Sequence, residues 1–250
     1  MASSQNVIDV RDIPSAVGFL SRLPVRVDGD WAMARGARNT WAYPVAGAVL
    51  GVILCAVAWV FSGLGAAFAA AFALASLVIV TGGLHEDGLA DTADGLWGGW
   101  TPARRLEIMK DSRIGAYGVM ALALTLLLRW LGLGAAISAE NWWALIAVPA
   151  ASRAAMVPLM ALPHARPGGV SATVGRPPAS AILIAVLLGA VAMIGLGGAG
   201  VLALVVICLL AAAIALVAQA KIRGQTGDIL GATQQVTEIG AWATLAAMAA

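Results

Sequence analysis

At 250 residues, 61% hydrophobic and only 11% charged, with a mean hydropathy of +0.90, the chain is far from a soluble globular domain, in which about 25% of residues are charged. A formal net charge of +2 is too small to mark a nucleic-acid partner. Both cysteines, Cys55 and Cys208, fall in apolar runs and argue for neither a disulfide framework nor a zinc site.

The first 40 residues are polar and Arg-rich and show no signal-peptide core. Within them Ile13, Val17 and Leu20 recur at a helical period beside Arg22, as in a short amphipathic helix lying on the inner membrane surface. Apolar runs then cover residues 43–62, 66–84, 115–134, 142–162, 180–196 and 200–220. Each is long enough to cross a hydrocarbon core of roughly 30 Å. A seventh run, 240–250, is too short alone; a helix starting near Ile229 lengthens it and carries Gln234, Gln235 and Glu238 into the membrane zone. The expected fold is all-α, one polytopic membrane domain over 1–250 with six or seven transmembrane helices. Lys and Arg precede the first run, lie between the second and third and between the fourth and fifth, and follow the sixth, whereas 63–65, 135–141 and 197–199 carry none. That bias predicts a cytoplasmic amino-terminal segment, 1–42, and two cytoplasmic loops, 85–114 and 221–238.

The first loop opens with His85-Glu86-Asp87-Gly88-Leu89-Ala90-Asp91-Thr92-Ala93-Asp94-Gly95, four of the chain's thirteen carboxylates in eleven residues. Asp87, Asp91 and Asp94 are spaced i, i+4, i+7, so a helical segment projects all three from one face. Three carboxylates that close repel one another unless a hard cation lies between them, and carboxylates plus substrate phosphates are the usual environment of Mg²⁺. The flanks, Gly83-Leu84 and Leu96 to Gly99, carry no Lys, Ser or Pro, which favours a metal–phosphate site over a solvated acidic loop. Further along, Lys110 and Arg113 share a helical face beside Asp111. A carboxylate face opposed by a basic face suits a diphosphate ester. His85 and Asp111 are the candidate catalytic residues, His85 as proton shuttle or phosphate contact and Asp111 also as a further metal ligand; a structural role for His85 stands beside that reading. Arg104 and Arg105 serve as phosphate contacts or as membrane-surface anchors.

The second loop contains Gly224-Gln225-Thr226-Gly227-Asp228-Ile229-Leu230-Gly231. Its glycines allow close approach of backbone amides to an anion, with Gly227 a candidate contact, or to another helix, and an ordinary turn needs no function; Asp228, Gly231, Gln235 and Glu238 share one face of any helix that starts here. Two arginines lie inside runs. Arg153, between Pro149 and Pro158, is expected to face a polar cavity opened by a kinked helix, or a partner, and is read as functional. Arg129, beside Trp130 and nearer the outer end, can snorkel, and no role is assigned to it.

With these strings in view, the chain resembles the cobalamin synthase (adenosylcobinamide-GDP ribazoletransferase) family. The resemblance rests on 85–95, on Ile108-Met109-Lys110-Asp111-Ser112-Arg113-Ile114-Gly115, on Phe19-Leu20-Ser21-Arg22-Leu23-Pro24-Val25, on Tyr43-Pro44-Val45-Ala46-Gly47 and on Thr226-Gly227-Asp228-Ile229-Leu230-Gly231-Ala232. It departs at Glu86, where the pattern has an apolar residue, and at Gln234-Gln235, where an acidic residue is common. The resemblance implies a Mg²⁺-dependent enzyme of the bacterial inner membrane that joins adenosylcobinamide-GDP to α-ribazole, or to its 5′-phosphate, and releases GMP. It assigns Asp87, Asp91, Asp94 and Asp228 to the metal, and Lys110, Arg113, Arg153, Arg104 and Gly227 to substrate. The lipid bilayer is a further partner, and an oligomer is compatible with the sequence. Two other classes pair acidic motifs with membranes: phosphoalcohol or prenyl transferases acting on lipid diphosphates, and cation transporters. The latter need acidic residues near mid-membrane on several helices.

Overall fold

The computed structural model describes residues 6–249, so residues 1–5 of the amino-terminal segment and Ala250, the end of the seventh run, lie outside it. Twelve α-helices follow in order among the described residues: α1 (Asp12–Leu20), α2 (Gly29–Arg35), α3 (Tyr43–Val60), α4 (Ala66–Thr81), α5 (Leu84–Gly98), α6 (Pro102–Ile108), α7 (Ala116–Ser138), α8 (Trp142–Leu159), α9 (Val170–Val174), α10 (Ala179–Ile194), α11 (Gly197–Ile222) and α12 (Gly227–Ala249). A 3₁₀ stretch, Gly36–Ala42, joins α2 to α3. Four helical stretches are long and apolar enough to cross a bilayer: Gly29–Val60, Ala116–Ser138, Trp142–Leu159 and Gly197–Ile222. The pair α4 and α5 makes a fifth if counted as one broken span. The protein is therefore an all-helical, multi-pass membrane protein.

Helices run through these segments because apolar backbone in lipid must satisfy its own hydrogen bonds. Small residues then let them approach. Gly47 and Gly51 of α3 lie directly on α8, where a Cβ on Gly47 would collide with the Pro149 carbonyl and one on Gly51 would lie 2.6 Å from the Leu145 oxygen. Leu145 is four residues before Pro149, whose ring nitrogen has no hydrogen to give it. The carbonyl freed by the proline thus rests against a glycine.

Helix α1 does not lie unpartnered on a surface. Ala16, Val17 and Leu20 are buried in an apolar cluster with Trp41 and Tyr43. Arg35, counted among the basic residues flanking the first run, is buried in an ion pair with Asp12 at 2.7 Å, and Trp41 donates to the same carboxylate at 2.6 Å.

The two long loops expected from the sequence are largely helical. Residues 84–98 form α5, and α12 begins at Gly227, leaving only a short turn after α11. Helix α12 carries Gln234, Gln235 and Glu238 into a buried ionic network. Arg129 of α7 donates to Glu86 at 2.6 Å and to Glu238 at 3.0 Å, so it does not snorkel; both it and Glu238 are 1% exposed. Gln235 bridges Arg129 and Glu86 at 3.0 Å each. Glu238 also takes hydrogen bonds from Ser152 at 3.2 Å and from Gln234, and lies 3.6 Å from Arg153. Two arginines and two glutamates balance formally, which is the condition for keeping charge in an apolar interior. Along α12 the network separates Ile229 and Leu230, in one apolar cluster, from Ala241 and Trp242, in the other.

Candidate active site

Helix α4 ends on two glycines in the left-handed region, Gly82 at φ +66° and Gly83 at φ +70°. They turn the chain through 85° into α5. Because 84–98 is one helix, the three aspartates share a face, but they do not share a role. Asp94 is buried, and its two oxygens accept the amides of Gly115 at 2.7 Å and Gly118 at 2.9 Å. It thereby serves as an anion at the amino end of α7, where the first amides lack helical partners. Gly115 is required for this approach, since a Cβ there would lie 2.5 Å from Asp94 Oδ1.

Asp87 and Asp91 make no side-chain hydrogen bond or ion pair among the described residues. Both line a wide polar cavity of about 820 Å³. Arg22 and Lys110 line the same cavity and are equally without protein partners among the described residues. The Arg22 guanidinium lies over Gly82, in the space a side chain there would need. In the sequence Arg22 stands beside the expected amino-terminal helix and inside the string 19–25, and that string is the signal for a role that the sequence reading does not assign to it. Two free carboxylates facing two free cations form a cradle in which a metal-neutralised diphosphate satisfies every charge.

Helix α12 meets α5 through glycines but contributes no residue to the wide cavity. Gly88 of α5 and Gly231 of α12 are in backbone contact, and a Cβ on Gly88 would meet the Asp228 carbonyl at 3.0 Å. Asp228 therefore stands beside α5, close enough that its charge and those of Asp87 and Asp94 act on Asp91. Its carboxylate takes hydrogen bonds from Thr226 at 3.1 Å and from Arg166 at 3.2 Å. Arg166 also reaches the Leu106 carbonyl at 3.3 Å; its only sequence signal is the Pro167-Gly168-Gly169 turn that follows.

The remaining candidates divide. His85, 2% exposed with neither ring nitrogen hydrogen-bonded, lines a second, more apolar cavity of about 440 Å³. Gly227 and Asp228 line that cavity too. Asp111 lines the wide cavity but is paired with Arg113 at 2.7 Å. That guanidinium holds the Asp111 carboxyl at about 2, below the ordinary carboxylate range. Arg113 is exposed and Arg104 pairs with Glu107 at 2.8 Å; neither lines either cavity. Arg153 is 1% exposed, donates to the Pro149 carbonyl at 3.1 Å and belongs to the ionic network, not to either cavity wall. Arg105 and Lys221 are staples, Arg105 donating to the Lys221 carbonyl at 3.0 Å and Lys221 to that of Leu96 at 2.9 Å.

The donors around the wide cavity are oxygens, the set preferred by Mg²⁺. No three Asp, Glu, His or Cys groups among the described residues converge tightly enough to enclose a metal by themselves. Mg²⁺ does not need that enclosure, because one or two carboxylates with phosphate oxygens and water commonly suffice. Asp87 and Asp91 fit that requirement.

The profile of the family described as cobalamin-5-phosphate synthase matches residues 12–246. A protein of Bradyrhizobium diazoefficiens named adenosylcobinamide-GDP ribazoletransferase is 45% identical over 238 residues, covering 92% of this chain and 91% of its own length. One of the same name from Mesorhizobium japonicum is 44% identical over 243 residues, covering 95% and 92%. Another from Brucella canis is 40% identical over 255 residues, covering 93% and 95%. No solved structure matches the chain.

Proposed function

The chain belongs to the cobalamin-5-phosphate synthase family, and from that premise we propose that it is an adenosylcobinamide-GDP ribazoletransferase working at the wide polar cavity. A ribose hydroxyl of α-ribazole, or of its 5′-phosphate, attacks the phosphorus that carries the corrinoid arm. A new O–P bond forms, the bridging P–O bond breaks, and GMP leaves with the electron pair. The observation that carries this reading is the meeting of Asp87 and Asp91 with Arg22 and Lys110 in one cavity, all four without protein partners among the described residues.

Asp87 and Asp91 would hold Mg²⁺, with Asp228 beside them. When bound, the metal neutralises charge on the diphosphate and on the departing phosphate. Arg22 and Lys110 bind phosphoryl oxygens and fix the ester in line for attack. To His85, buried at the edge of the neighbouring cavity, we assign the hydroxyl proton. Asp94 orients the site by fixing α5 to α7. With α10 and α12 counted in, the helices make the six or seven spans that the apolar runs suggest. The distribution of Lys and Arg supports an inner-membrane protein with its amino terminus and active site on the cytoplasmic side.

The test uses purified protein in lipid nanodiscs with adenosylcobinamide-GDP, α-ribazole and Mg²⁺. Equimolar corrinoid product and GMP are expected. Intact substrate after prolonged incubation contradicts the assignment.

A further inference from the structure

The molecule has two cavities at this end, and they differ in chemistry. The wide one carries the four unpartnered charges; the smaller is mostly apolar, walled by Phe19, Tyr43, Leu84, Met156 and Met160, with the paired Arg166 and Asp228 on its polar side. Phe19 and Tyr43 are stacked, with centroids 6.1 Å apart and ring planes at 21°. Asp87, Phe19 and Leu84 line both, so the two cavities adjoin and Asp87 stands at the junction.

We propose that the apolar cavity is the acceptor subsite, binding the flat heteroaromatic base of the nucleoside, while the polar cavity takes the nucleotide-activated corrinoid. The assignment rests on the transferase reading and divides its two substrates. Size fits the nucleoside first. A cavity of about 440 Å³ falls in the range of small-molecule sites, roughly 300–1,000 Å³, as a nucleoside base requires. Polarity separates them next. Most of the polar side chains on this lining already engage one another, Arg166 with Asp228, Ser171 with Gln225 and Gln225 with His164. Guanine's edge donors and acceptors would compete with those bonds, whereas a benzimidazole is largely apolar and stacks on the aromatic and methionine walls. His85 is the third observation. Its ring is 2% exposed on this cavity and neither nitrogen has a partner in the protein. A buried polar group left so calls for a ligand, and a nucleoside brings a ribose hydroxyl or a ring nitrogen to it. The hydroxyl then emerges at Asp87, next to the phosphorus it must attack.

The outer wall comes from the segment around α9. Gly168, Gly169 and Gly175 hold positive φ angles of 76°, 87° and 87°. Ser171 ties the segment to the α11–α12 turn by donating to Gln225 Oε1 at 2.7 Å. Ala172 and Val170 of this wall lie outside the catalytic and charged groups assigned above, and both line the cavity.

Two bulky substitutions in the full chain in nanodiscs separate the cavities. Ala172→Trp narrows the apolar one, and Ser112→Trp narrows the polar one, which Ser112 lines. Ala172→Trp is expected to raise KM for α-ribazole about tenfold or more and to leave KM for adenosylcobinamide-GDP within about twofold; Ser112→Trp is expected to do the reverse. Val170→Trp repeats the first arm from a more exposed position, should Ala172→Trp not accumulate. For wild type alone, free dimethylbenzimidazole is expected to displace labelled α-ribazole in equilibrium binding, and GDP is not. Product from wild type together with a misdirected KM shift, or displacement by GDP, overturns the partition and leaves the transferase reading standing. Absence of product from wild type overturns both.

Discussion

Gly88 of α5 and Gly231 of α12 face one another so closely that a Cβ built on either would lie 3.3 Å from the other's Cα. This contact brings Asp228, 140 positions along the chain from Gly88, to the acidic helix. Both glycines line the smaller cavity, so that wall is formed by backbone packed on backbone.

Gly88→Ala places a methyl group 3.0 Å from the Asp228 carbonyl, a backbone atom with little freedom to move. The helices must part by a few tenths of an ångström or more, at a cost of about 1–3 kcal/mol. Turnover is expected to fall by up to about 10²-fold, since reacting groups displaced by about an ångström lose that much. Gly29→Ala, where nothing lies within 4 Å, is the control and is expected to leave turnover unchanged. Normal turnover by Gly88→Ala would show that α5–α12 spacing does not set the site.

Asp94→Asn separates structure from chemistry. It removes the charge from two amide contacts at the head of α7, a loss of about 1–3 kcal/mol. Thermal unfolding in nanodiscs should therefore shift downward, whereas Asp87→Asn and Asp91→Asn, whose oxygens have no protein partners, should leave it in place or raise it through relieved repulsion. Equal melting behaviour of all three variants would count against the division of roles.

The two buried arginines are not equivalent. Arg129→Met strips partners from both Glu86 and Glu238, and an uncompensated buried charge costs about 3–5 kcal/mol. Arg153→Met leaves Glu238 held by Arg129, Ser152 and Gln234, so its loss should be smaller. Because Arg153 lines neither cavity, Arg153→Lys should keep the wild-type KM for adenosylcobinamide-GDP. A larger destabilisation from Arg153→Met than from Arg129→Met would reverse the hierarchy.

Asp111 supplies a test in pH. Arg113 depresses its carboxyl to about 2 from an ordinary 3.8, so any stabilisation from this exposed pair is present above the unfolded value and is lost as pH falls through about 2. Across a working range of about pH 5 to 9 Asp111 stays ionised, and a pH–rate limb there arises elsewhere. Asp111→Asn should leave the acid limb of kcat/KM where it was. A shift of that limb would restore Asp111 as a proton-transfer group.

The sequence made most of the helices legible because apolar runs in lipid have few alternatives to helix. Residues 66–84 and 142–162 became α4, Ala66–Thr81, and α8, Trp142–Leu159, with ends moved by a few residues. The acidic string read as a loop because charge interrupts the apolar pattern, yet its i, i+4, i+7 spacing already described a helix. The Gly82–Gly83 pair was the signal for the sharp turn into it. What local pattern did not contain was partner identity. Glu86, an odd residue in its string, meets Arg129 and Gln235, which lie 43 and 149 positions away. Arg129 and Arg153 looked alike as intramembrane charges, and only tertiary packing distinguishes a hub from its neighbour. Asp94 was indistinguishable from Asp87 and Asp91 by spacing, because its role depends on where α7 begins.

The central claim is that the two unpartnered carboxylates of α5 carry the reaction. Its most direct test is the transferase assay on wild type, Asp87→Asn and Asp91→Asn in the same nanodiscs over a range of Mg²⁺ concentrations. Wild type should yield corrinoid product and GMP in equal amounts. Each variant should lose at least about 10²-fold in rate at ordinary Mg²⁺, with partial recovery as Mg²⁺ rises. If wild type turns over and either variant keeps its rate, the chemistry does not run through these carboxylates and the site lies elsewhere in the protein.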